Sequence, residues 1–177
     1  MDQTGPTISG NSQSTAIAVI PARFGSTRLP GKPLLEIGGR AMIIRTIERA
    51  LSAKRISRAI VATDDKRILD VVHGAGFEAV LTRDDHESGS DRLAEVAQQL
   101  EADVIVNVQG DEPFISSDTI DRVIEELTLD QSAMIATASE PILNVSEALS
   151  PHVVKVVVDS RGRALYFSRA PIPYPRE

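Results

Sequence analysis

The feature that most constrains the fold of this sequence is a series of short apolar runs, each followed directly by a polar loop. The first run covers residues 16–22, and the others cover residues 59–63, 79–82 and 104–108. The first run is apolar throughout, which is typical of a parallel strand covered on both faces. Segments with apolar residues at helical spacing lie between the runs. This alternation predicts an α/β fold, a three-layer α/β/α sandwich around a mostly parallel, Rossmann-like sheet.

Four helices are predicted from the spacing of apolar residues. They lie over residues 41–51 and around residues 68–72, 93–100 and 120–127. Ser88 or Ser90 would cap the third helix, and Ser116 or Ser117 would cap the fourth, because a serine hydroxyl accepts from the first unpaired backbone amides. Each predicted strand is therefore followed by a loop and then by a helix.

The pattern changes after the fourth helix. Residues 133–137 are apolar enough to predict a further strand. The segments 153–158 and 163–167 flank a turn at residues 159–162, which is the pattern of a β-hairpin. The final residues, 170–177, contain three closely spaced prolines and are expected to be extended rather than regular.

Composition limits the size of the fold and the kinds of ligand. The 177 residues, 42% of them hydrophobic, predict one domain over residues 16–177 after a polar, disordered tail at residues 1–15. A net charge of −6 argues against nucleic acid as a partner. No apolar run is long enough to cross a membrane and no secretory signal is present, so a cytoplasmic protein is expected. With no cysteine and three histidines, any metal should be bound by oxygen, as Mg²⁺ is.

The loop after the first run is locally basic. It carries Arg23, Arg28 and Lys32, and Glu36 is the one acidic residue between residues 16 and 40. Three cations interleaved with glycine and proline after a buried strand favour binding of a polyphosphate. The alternative for these residues is a solvated basic loop.

Two common nucleotide-binding motifs do not fit. A Walker loop needs four residues between its glycines and a Ser or Thr after the lysine, whereas five residues separate Gly25 from Gly31 and Pro33 follows the lysine. A dinucleotide fingerprint occurs at residues 74–79, but it closes a predicted helix instead of opening one. Its glycines are interpreted as a helix C-cap and a turn.

Loops at the carboxyl ends of parallel strands converge on one edge of the sheet. Four loops should meet there, at residues 22–32, 63–65, 82–91 and 109–113. Asp111 in the last loop could bind a metal ion or could cap a turn. Cations and a carboxylate on one rim suit phosphoryl or nucleotidyl transfer, in which positioning and charge neutralisation provide most of the catalysis.

Four segments together resemble the 3-deoxy-manno-octulosonate cytidylyltransferases, or CMP-Kdo synthetases. They are residues 19–34 (VIPARFGSTRLPGKPL), 86–95 (HESGSDRLAE), 106–113 (VNVQGDEP) and 164–169 (ALYFSR). The resemblance implies a sheet of the nucleotide-diphospho-sugar transferase type. It also implies transfer of CMP from CTP to 3-deoxy-D-manno-octulosonate (Kdo), giving CMP-Kdo for lipopolysaccharide synthesis and pyrophosphate.

The resemblance also implies roles for individual residues. Arg28, Lys32 and Asp111 would be catalytic, with Mg²⁺ as the cofactor on Asp111, and Arg169 would contact the sugar carboxylate. The nucleotide would be bound by Ala22, Arg23, Ser26, Arg28, Lys32, Ser88, Gly89, Arg92 and Gln109.

The family pattern continues beyond Glu177, and that part includes a second metal-binding aspartate and part of a dimer contact. A fragment or a shortened protein is therefore expected, with a homodimer forming if the remaining part is present. Two alternatives stay open. The chain could bind CTP without turnover, or it could transfer CMP to another acidic sugar such as a sialic acid.

Overall fold

The computed structural model describes residues 15–25 and 29–173, and it divides into two compact units between Ala136 and Thr137. The first unit contains a parallel sheet, its helices and a small antiparallel ribbon. Its strands are β1 (Ala16–Ala22), β2 (Glu36–Ile37), β3 (Arg40–Ala41), β4 (Ile56–Thr63), β5 (Glu78–Leu81) and β6 (Val104–Asn107). Its helices are a 3-10 turn (Lys32–Leu34), α1 (Met42–Leu51), α2 (Lys66–Gly74), α3 (Gly89–Ala97) and α4 (Ser117–Leu129).

The main sheet is wholly parallel, with the strand order β5-β4-β1-β6. Ala16–Ala22 of β1 pairs along its whole length with β4 and along its first half with β6. Thr15 extends this contact, because its backbone amide donates to the Asp103 carboxylate at 2.8 Å. The chain therefore adds β4 and β5 on one side of β1 and then returns to add β6 on the other side.

The two faces of the sheet are covered by different helices, which confirms the predicted three-layer sandwich. Alternate residues of β1, such as Ala18 and Ile20, pack with α1, α2 and α4 in one buried cluster. Ile17 and Val19 point to the opposite face and pack with Val96 of α3. A strand between two covered faces needs an apolar residue at every position, which is why β1 reads as a continuous apolar run.

The predicted helix ends near the strand loops are confirmed. Ser88, rather than Ser90, caps α3 in a capping box, in which its hydroxyl accepts from the Asp91 amide. Ser116 caps α4. The helix α2 ends at Gly74, and Gly76 follows in the left-handed region at φ 83°. The fingerprint at residues 74–79 is therefore a helix end and turn, as predicted.

The second unit contains a short helix and the predicted hairpin. The helix is α5 (Val145–Leu149), and the hairpin pairs β7 (Lys155–Val158) with β8 (Ala164–Ser168) in antiparallel register. Lys155 is buried, and its ammonium donates to the carbonyl oxygens of Ser150, Val153 and Arg169. The boundaries proposed for one domain and a disordered tail stay predictions, and residues 1–14 lie outside the described part.

The strand predicted over residues 133–137 is wrong. No strand is formed there, and the Met134 and Ile135 side chains are 89% and 85% exposed. An apolar sequence forms a strand only where a neighbouring strand supplies hydrogen bonds and a packed face, and none of the described strands pairs with this segment. Within residues 15–25 and 29–173, no helix has the length and apolar character required to cross a bilayer.

Candidate functional site

A cavity of about 540 Å³ opens where the loops after β1 and β6 meet. The strand order reverses at this point, since β4 lies on one side of β1 and β6 on the other. Open parallel sheets bind their ligands at such a point, beyond the carboxyl ends of the strands. The cavity, called here the β1–β6 cavity, is lined by Pro21, Ala22, Arg23, Leu29, Lys32, Pro33, Gln109, Gly110 and Asp111.

Gly110 allows the two loops to approach closely. A Cβ atom at this position would lie 2.8 Å from the carbonyl oxygen of Pro21. On the other side, the Thr46 hydroxyl of α1 lies 3.3 Å from the Gly110 carbonyl oxygen and can donate to it. A backbone oxygen cannot swing aside as a side chain can, so a larger residue would force the loops apart.

Lys32 and Asp111, 79 residues apart in sequence, form an ion pair in the β1–β6 cavity. The lysine Nζ lies 2.6 Å from the Asp111 Oδ2, and the side chains are 35% and 53% exposed. Lys32 begins the 3-10 turn directly after Gly31, whose φ of 71° favours glycine. Because exposed ions remain partly solvated, such a pair adds little stability, and either partner can exchange the other for a ligand.

Two further charged residues lie in the loops that contribute this ion pair. Arg23 is exposed and forms no salt bridge with any other residue in the described ranges. Glu112 follows Asp111, and partial desolvation together with the negative charge of Asp111 raises the pKa of its carboxyl. The cavity therefore offers cations from the loop after β1 and the Asp111 carboxylate from the loop after β6.

A smaller cavity of about 150 Å³ lies beside the first and shares four of its lining residues. The shared residues are Pro21, Ala22, Arg23 and Gln109, and the remaining wall is formed by His86, Ser88, Gly89 and Arg92. This second cavity, called here the α3 cavity, lies at the first turn of α3. Gly89 brings the helix close to β1, since a Cβ there would lie 3.4 Å from the Pro21 ring.

The guanidinium of Arg92 is buried at the wall of the α3 cavity. Its Nη2 lies 2.6 Å from Asp64 Oδ2, and the two side chains are 4% and 19% exposed. Its Nη1 donates to the Thr82 hydroxyl and, at 3.2 Å, to the Arg83 carbonyl oxygen. Arg92 therefore joins α3 to residues that directly follow β4 and β5.

His86 separates the α3 cavity from a third, more acidic cavity. Its side chain is 5% exposed and its Nε2 hydrogen bonds with the Glu95 carboxylate of α3. That hydrogen bond, helped by one from the Arg83 amide, lowers the pKa of Glu95. The third cavity, of about 660 Å³, is lined by Arg83, Asp85, His86, Glu87, Asp91, Ala94, Glu95 and Gln98.

Sequence reasoning missed Arg67, which packs on the loop after β1. Its guanidinium carbon lies 3.4 Å from the centre of the Phe24 ring, and the same group forms two hydrogen bonds to Asp65. Phe24 in turn accepts from the Gly31 amide through its carbonyl oxygen. An arginine on the exposed side of a helix carries no sequence signal for such a contact, since only folding brings α2 to this loop.

Comparison with known proteins agrees with the geometry of the site. The cytidylyltransferase family matches this sequence over residues 17–177. The chain belongs to that family. Its α/β sheet is thus that of a cytidylyltransferase, which confirms the predicted fold class and the cytidylyltransferase part of the resemblance.

Curated relatives of this cytidylyltransferase are named 3-deoxy-manno-octulosonate cytidylyltransferase. One, from Trichlorobacter lovleyi, is 52% identical over 161 residues, covering 91% of this chain and 64% of the relative. Another, from Escherichia coli, is 50% identical over 163 residues, covering 92% of this chain and 66% of the relative. The chain thus spans slightly less than two thirds of the length of these relatives.

A solved structure supports the same relationship. It is that of a CMP:2-keto-3-deoxy-manno-octonic acid synthetase complexed with CTP, and it superposes with a TM-score of 0.83 at 47% identity. The match covers 92% of this chain and 67% of that one. A cytidylyltransferase from Leptospira borgpetersenii matches less closely, with a TM-score of 0.58 at 27% identity over 67% of this chain and 50% of that one.

The structure brings most of the predicted site residues together in the first unit. The β1–β6 cavity contains Ala22, Arg23, Lys32, Gln109 and Asp111, and the α3 cavity adds Ser88, Gly89 and Arg92. Ser26 and Arg28 lie outside the described residues. The predicted roles of all these residues stay predictions, and their shared location is consistent with them.

Arg169 belongs to the second unit. Its Nη1 donates to the carbonyl oxygens of Pro151 and His152, at 3.0 and 3.3 Å. Its own carbonyl oxygen accepts from the buried ammonium of Lys155. The backbone around Arg169 is therefore well anchored within its unit, and its contact with a sugar stays a prediction.

The β1–β6 cavity presents one carboxylate of the kind that binds divalent metal ions. Asp111 presents a half-exposed carboxylate to the cavity. In the described part of the chain, no three Asp, Glu or His side chains are grouped closely enough to hold an ion by themselves. A divalent ion such as Mg²⁺ is commonly bound by one or two carboxylates together with substrate oxygens and water, so one carboxylate in a cavity lined by cations fits such an ion.

Proposed function

We propose that the chain transfers CMP from CTP to Kdo, releasing pyrophosphate. The observation that carries this proposal is the cation-lined β1–β6 cavity at the point where the strand order of the sheet reverses. It is supported by two relatives that are 52% and 50% identical to this chain in sequence and that are named as this enzyme. The product, CMP-Kdo, would serve lipopolysaccharide synthesis, and a reaction that consumes CTP suggests a cytoplasmic location.

The two cavities suggest how CTP would lie. We place the triphosphate in the β1–β6 cavity, where Arg23 and Lys32 carry fixed positive charge, with Ser26 and Arg28 of the same loop as further ligands. Cytosine and ribose would occupy the α3 cavity, against the Ala22 backbone, the Ser88-Gly89 turn and Gln109. The helix end at Ser88 contributes partial positive charge, which complements the polar edge of the nucleotide.

The reaction would need no protein nucleophile. The anomeric hydroxyl oxygen of Kdo attacks the α-phosphorus in line, a new phosphorus–oxygen bond forms, and the bond to the β-phosphate oxygen breaks. Pyrophosphate leaves with the bonding electrons, and the hydroxyl proton passes to solvent. Lys32 and Arg28 neutralise the charge that develops on the leaving group, and Arg169 is the proposed contact for the sugar carboxylate.

Mg²⁺ is the proposed cofactor, with Asp111 as its protein ligand. Nucleotidyl transfer generally uses a divalent metal ion, which neutralises phosphate charge and aligns the reacting oxygens. Asp111 would exchange the Lys32 ammonium for the ion, and Lys32 would exchange the carboxylate for a phosphate oxygen. The ion pair found in the cavity keeps both groups in place for this exchange.

The experiment that tests the function compares pyrophosphate release with nucleotide binding. The chain is incubated with CTP, Mg²⁺ and Kdo while pyrophosphate is measured, and CTP binding is measured separately by calorimetry. We expect release that depends on all three components. Release with a sialic acid but not with Kdo would contradict the proposed sugar, and an absence of CTP binding would contradict the proposed function.

A second candidate is CTP binding without turnover. It is favoured by one observation, that Asp111 is not joined by two further Asp, Glu or His ligands in the described residues. Binding of CTP without pyrophosphate release would support it. We also propose a homodimer for a protein of the relatives' full length, and light scattering that reports a single chain for such a protein would contradict that state.

A further inference from the structure

We propose that Arg92 is a positioning residue, which acts through Asp64 and Thr82 to hold the α3 cavity in the shape that binds the cytidine end of CTP. This inference rests on the proposed function, because it concerns affinity for CTP. It differs from a direct nucleotide contact in assigning the effect to the loop and helix that Arg92 anchors.

The contacts of Arg92 tie together three separate parts of the sheet edge. Asp64 directly follows β4, Thr82 directly follows β5, and Arg92 itself lies on α3. The backbone is joined at the same place, since the Thr82 amide donates to the Thr63 carbonyl oxygen at 2.8 Å. One guanidinium thus sets the distance between two strand ends and the helix that covers them.

Burial makes this arrangement hard to exchange for a ligand. The Arg92 side chain is 4% exposed, and both of its Nη atoms donate to protein oxygens. A buried guanidinium that lost Asp64 would retain its charge without a counter-ion, which is strongly unfavourable. A ligand would have to displace well-placed partners to reach these nitrogens.

The anchored segment forms the wall of the α3 cavity. The Arg92 amide donates to the Ser88 carbonyl oxygen, so the anchored residue lies one helical turn from the Ser88-Gly89 wall. Gly89 packs against Pro21 at the end of β1, and any shift of α3 would change that contact. The position of Arg92 therefore determines how far the wall stands from β1.

The protein contains a matched control pair. Arg58 of β4 and Glu78 of β5 bridge the same two strands, with 2.6 Å between Nη2 and Oε2. Their side chains are 47% and 55% exposed, and neither residue lines the β1–β6 or α3 cavity. Substitution of this pair removes an ion pair between β4 and β5 without reaching the proposed site.

The test is a double-mutant cycle on CTP affinity, measured by calorimetry in the full chain with Mg²⁺. The variants are Asp64→Asn, Arg92→Met and the two combined, with Arg58→Ala and Glu78→Ala as controls. If Arg92 acts as a positioning residue, each single variant should raise the Kd for CTP about tenfold. The double variant should then raise it by a similar factor rather than a hundredfold. Loss of affinity in Arg92→Met with normal affinity in Asp64→Asn would assign a direct contact and overturn the inference.

A second measurement does not depend on CTP. Hydrogen exchange over residues 82–92 should become faster in Asp64→Asn than in the starting chain, and it should stay unchanged in Arg58→Ala. Thr82→Val and Arg92→Lys, which remove fewer contacts, replace the stronger variants if those fail to fold. Normal exchange in all variants would overturn the inference. If the starting chain fails to bind CTP, the proposed function fails, and exchange alone then decides whether Arg92 holds the loop.

Discussion

Two ion pairs at the same edge of the sheet have the same length and different surroundings. Lys32–Asp111 and Arg92–Asp64 both place a nitrogen 2.6 Å from a carboxylate oxygen. The first pair is one-third to one-half exposed, whereas the second is almost fully buried on the arginine side. Solvation decides what each pair can do. The exposed pair can exchange its partners for phosphate and metal, and the buried pair can only hold the scaffold in place.

The largest expected effect comes from breaking the buried pair. Arg92→Met should lower the free energy of unfolding by about 3 kcal/mol, because the Asp64 carboxylate would be left partly buried without its partner. Chemical denaturation gives this value, and Arg58→Ala, which breaks the exposed Arg58–Glu78 pair between β4 and β5, is the control. A loss for Arg92→Met no greater than for Arg58→Ala would show that burial does not distinguish the two pairs.

Breaking the exposed pair should affect the ligand rather than the fold. Lys32→Ala should weaken CTP binding by about 1.5–3 kcal/mol through loss of a charge-assisted contact. The same change should alter the free energy of unfolding by less than about 1 kcal/mol. Calorimetry and denaturation measure the two quantities, and Lys54→Ala, at an exposed position away from both cavities, serves as control. Unchanged CTP affinity would return Lys32 to the role of a solvated loop residue.

Separating the loops after β1 and β6, which meet at the same edge of the sheet, should have a smaller effect. Gly110→Ala would place a Cβ atom 2.8 Å from the Pro21 carbonyl oxygen, so a loop must shift. We expect a loss of about 1–3 kcal/mol in stability together with weaker CTP binding. Gly74→Ala, where a Cβ would meet nothing within 4 Å, is the control and should be close to neutral. Equal stability of the two variants would mean that the close approach of the loops is not required.

The smallest expected change concerns the pair of His86 and Glu95, which lies between the two cases in exposure. Because the pKa of Glu95 is lowered in the folded chain, its carboxylate stabilises the fold above the unfolded pKa of about 4.3. That contribution should disappear as the pH falls from about 4.3 through the lower folded value. Glu95→Gln should therefore flatten the pH dependence of unfolding in this window, whereas Glu126→Gln at an exposed site of α4 should not. Identical acid titrations of stability for both variants would contradict the assignment.

Sequence reasoning was most informative where the structure depends on residues that are close together in the sequence. The apolar run 16–22 predicted β1 with its observed bounds, and the serine before α3 predicted its cap, because strand burial and helix capping are local patterns. Residues 133–137 show the limit of such patterns. Their apolar composition suits a strand, but no described strand pairs with them, and pairing is not written in the local sequence.

The candidate site likewise has residues that the sequence predicted and contacts that it did not predict. The motif loops supplied Arg23, Lys32, Gln109 and Asp111 from the sequence, and all of them line the β1–β6 cavity. No local pattern connects Arg67 with Phe24, or Thr82 with Arg92. Such contacts link positions on different elements, and their residue types are common on any protein surface.

The sequence by itself determined the order of the four strands of the main sheet and the four long helices, the chemistry of each loop and membership of the cytidylyltransferase family. Only the tertiary structure decided which loops face each other. The strand order β5-β4-β1-β6 places the loops after β1 and β6 side by side, and so brings Lys32 to Asp111 across 79 residues. It also decided that Arg92 is buried against Asp64. Local preferences act over a few residues, whereas burial and pairing depend on how whole elements pack. That packing leaves the Lys32–Asp111 pair exposed and buries Arg92 against Asp64.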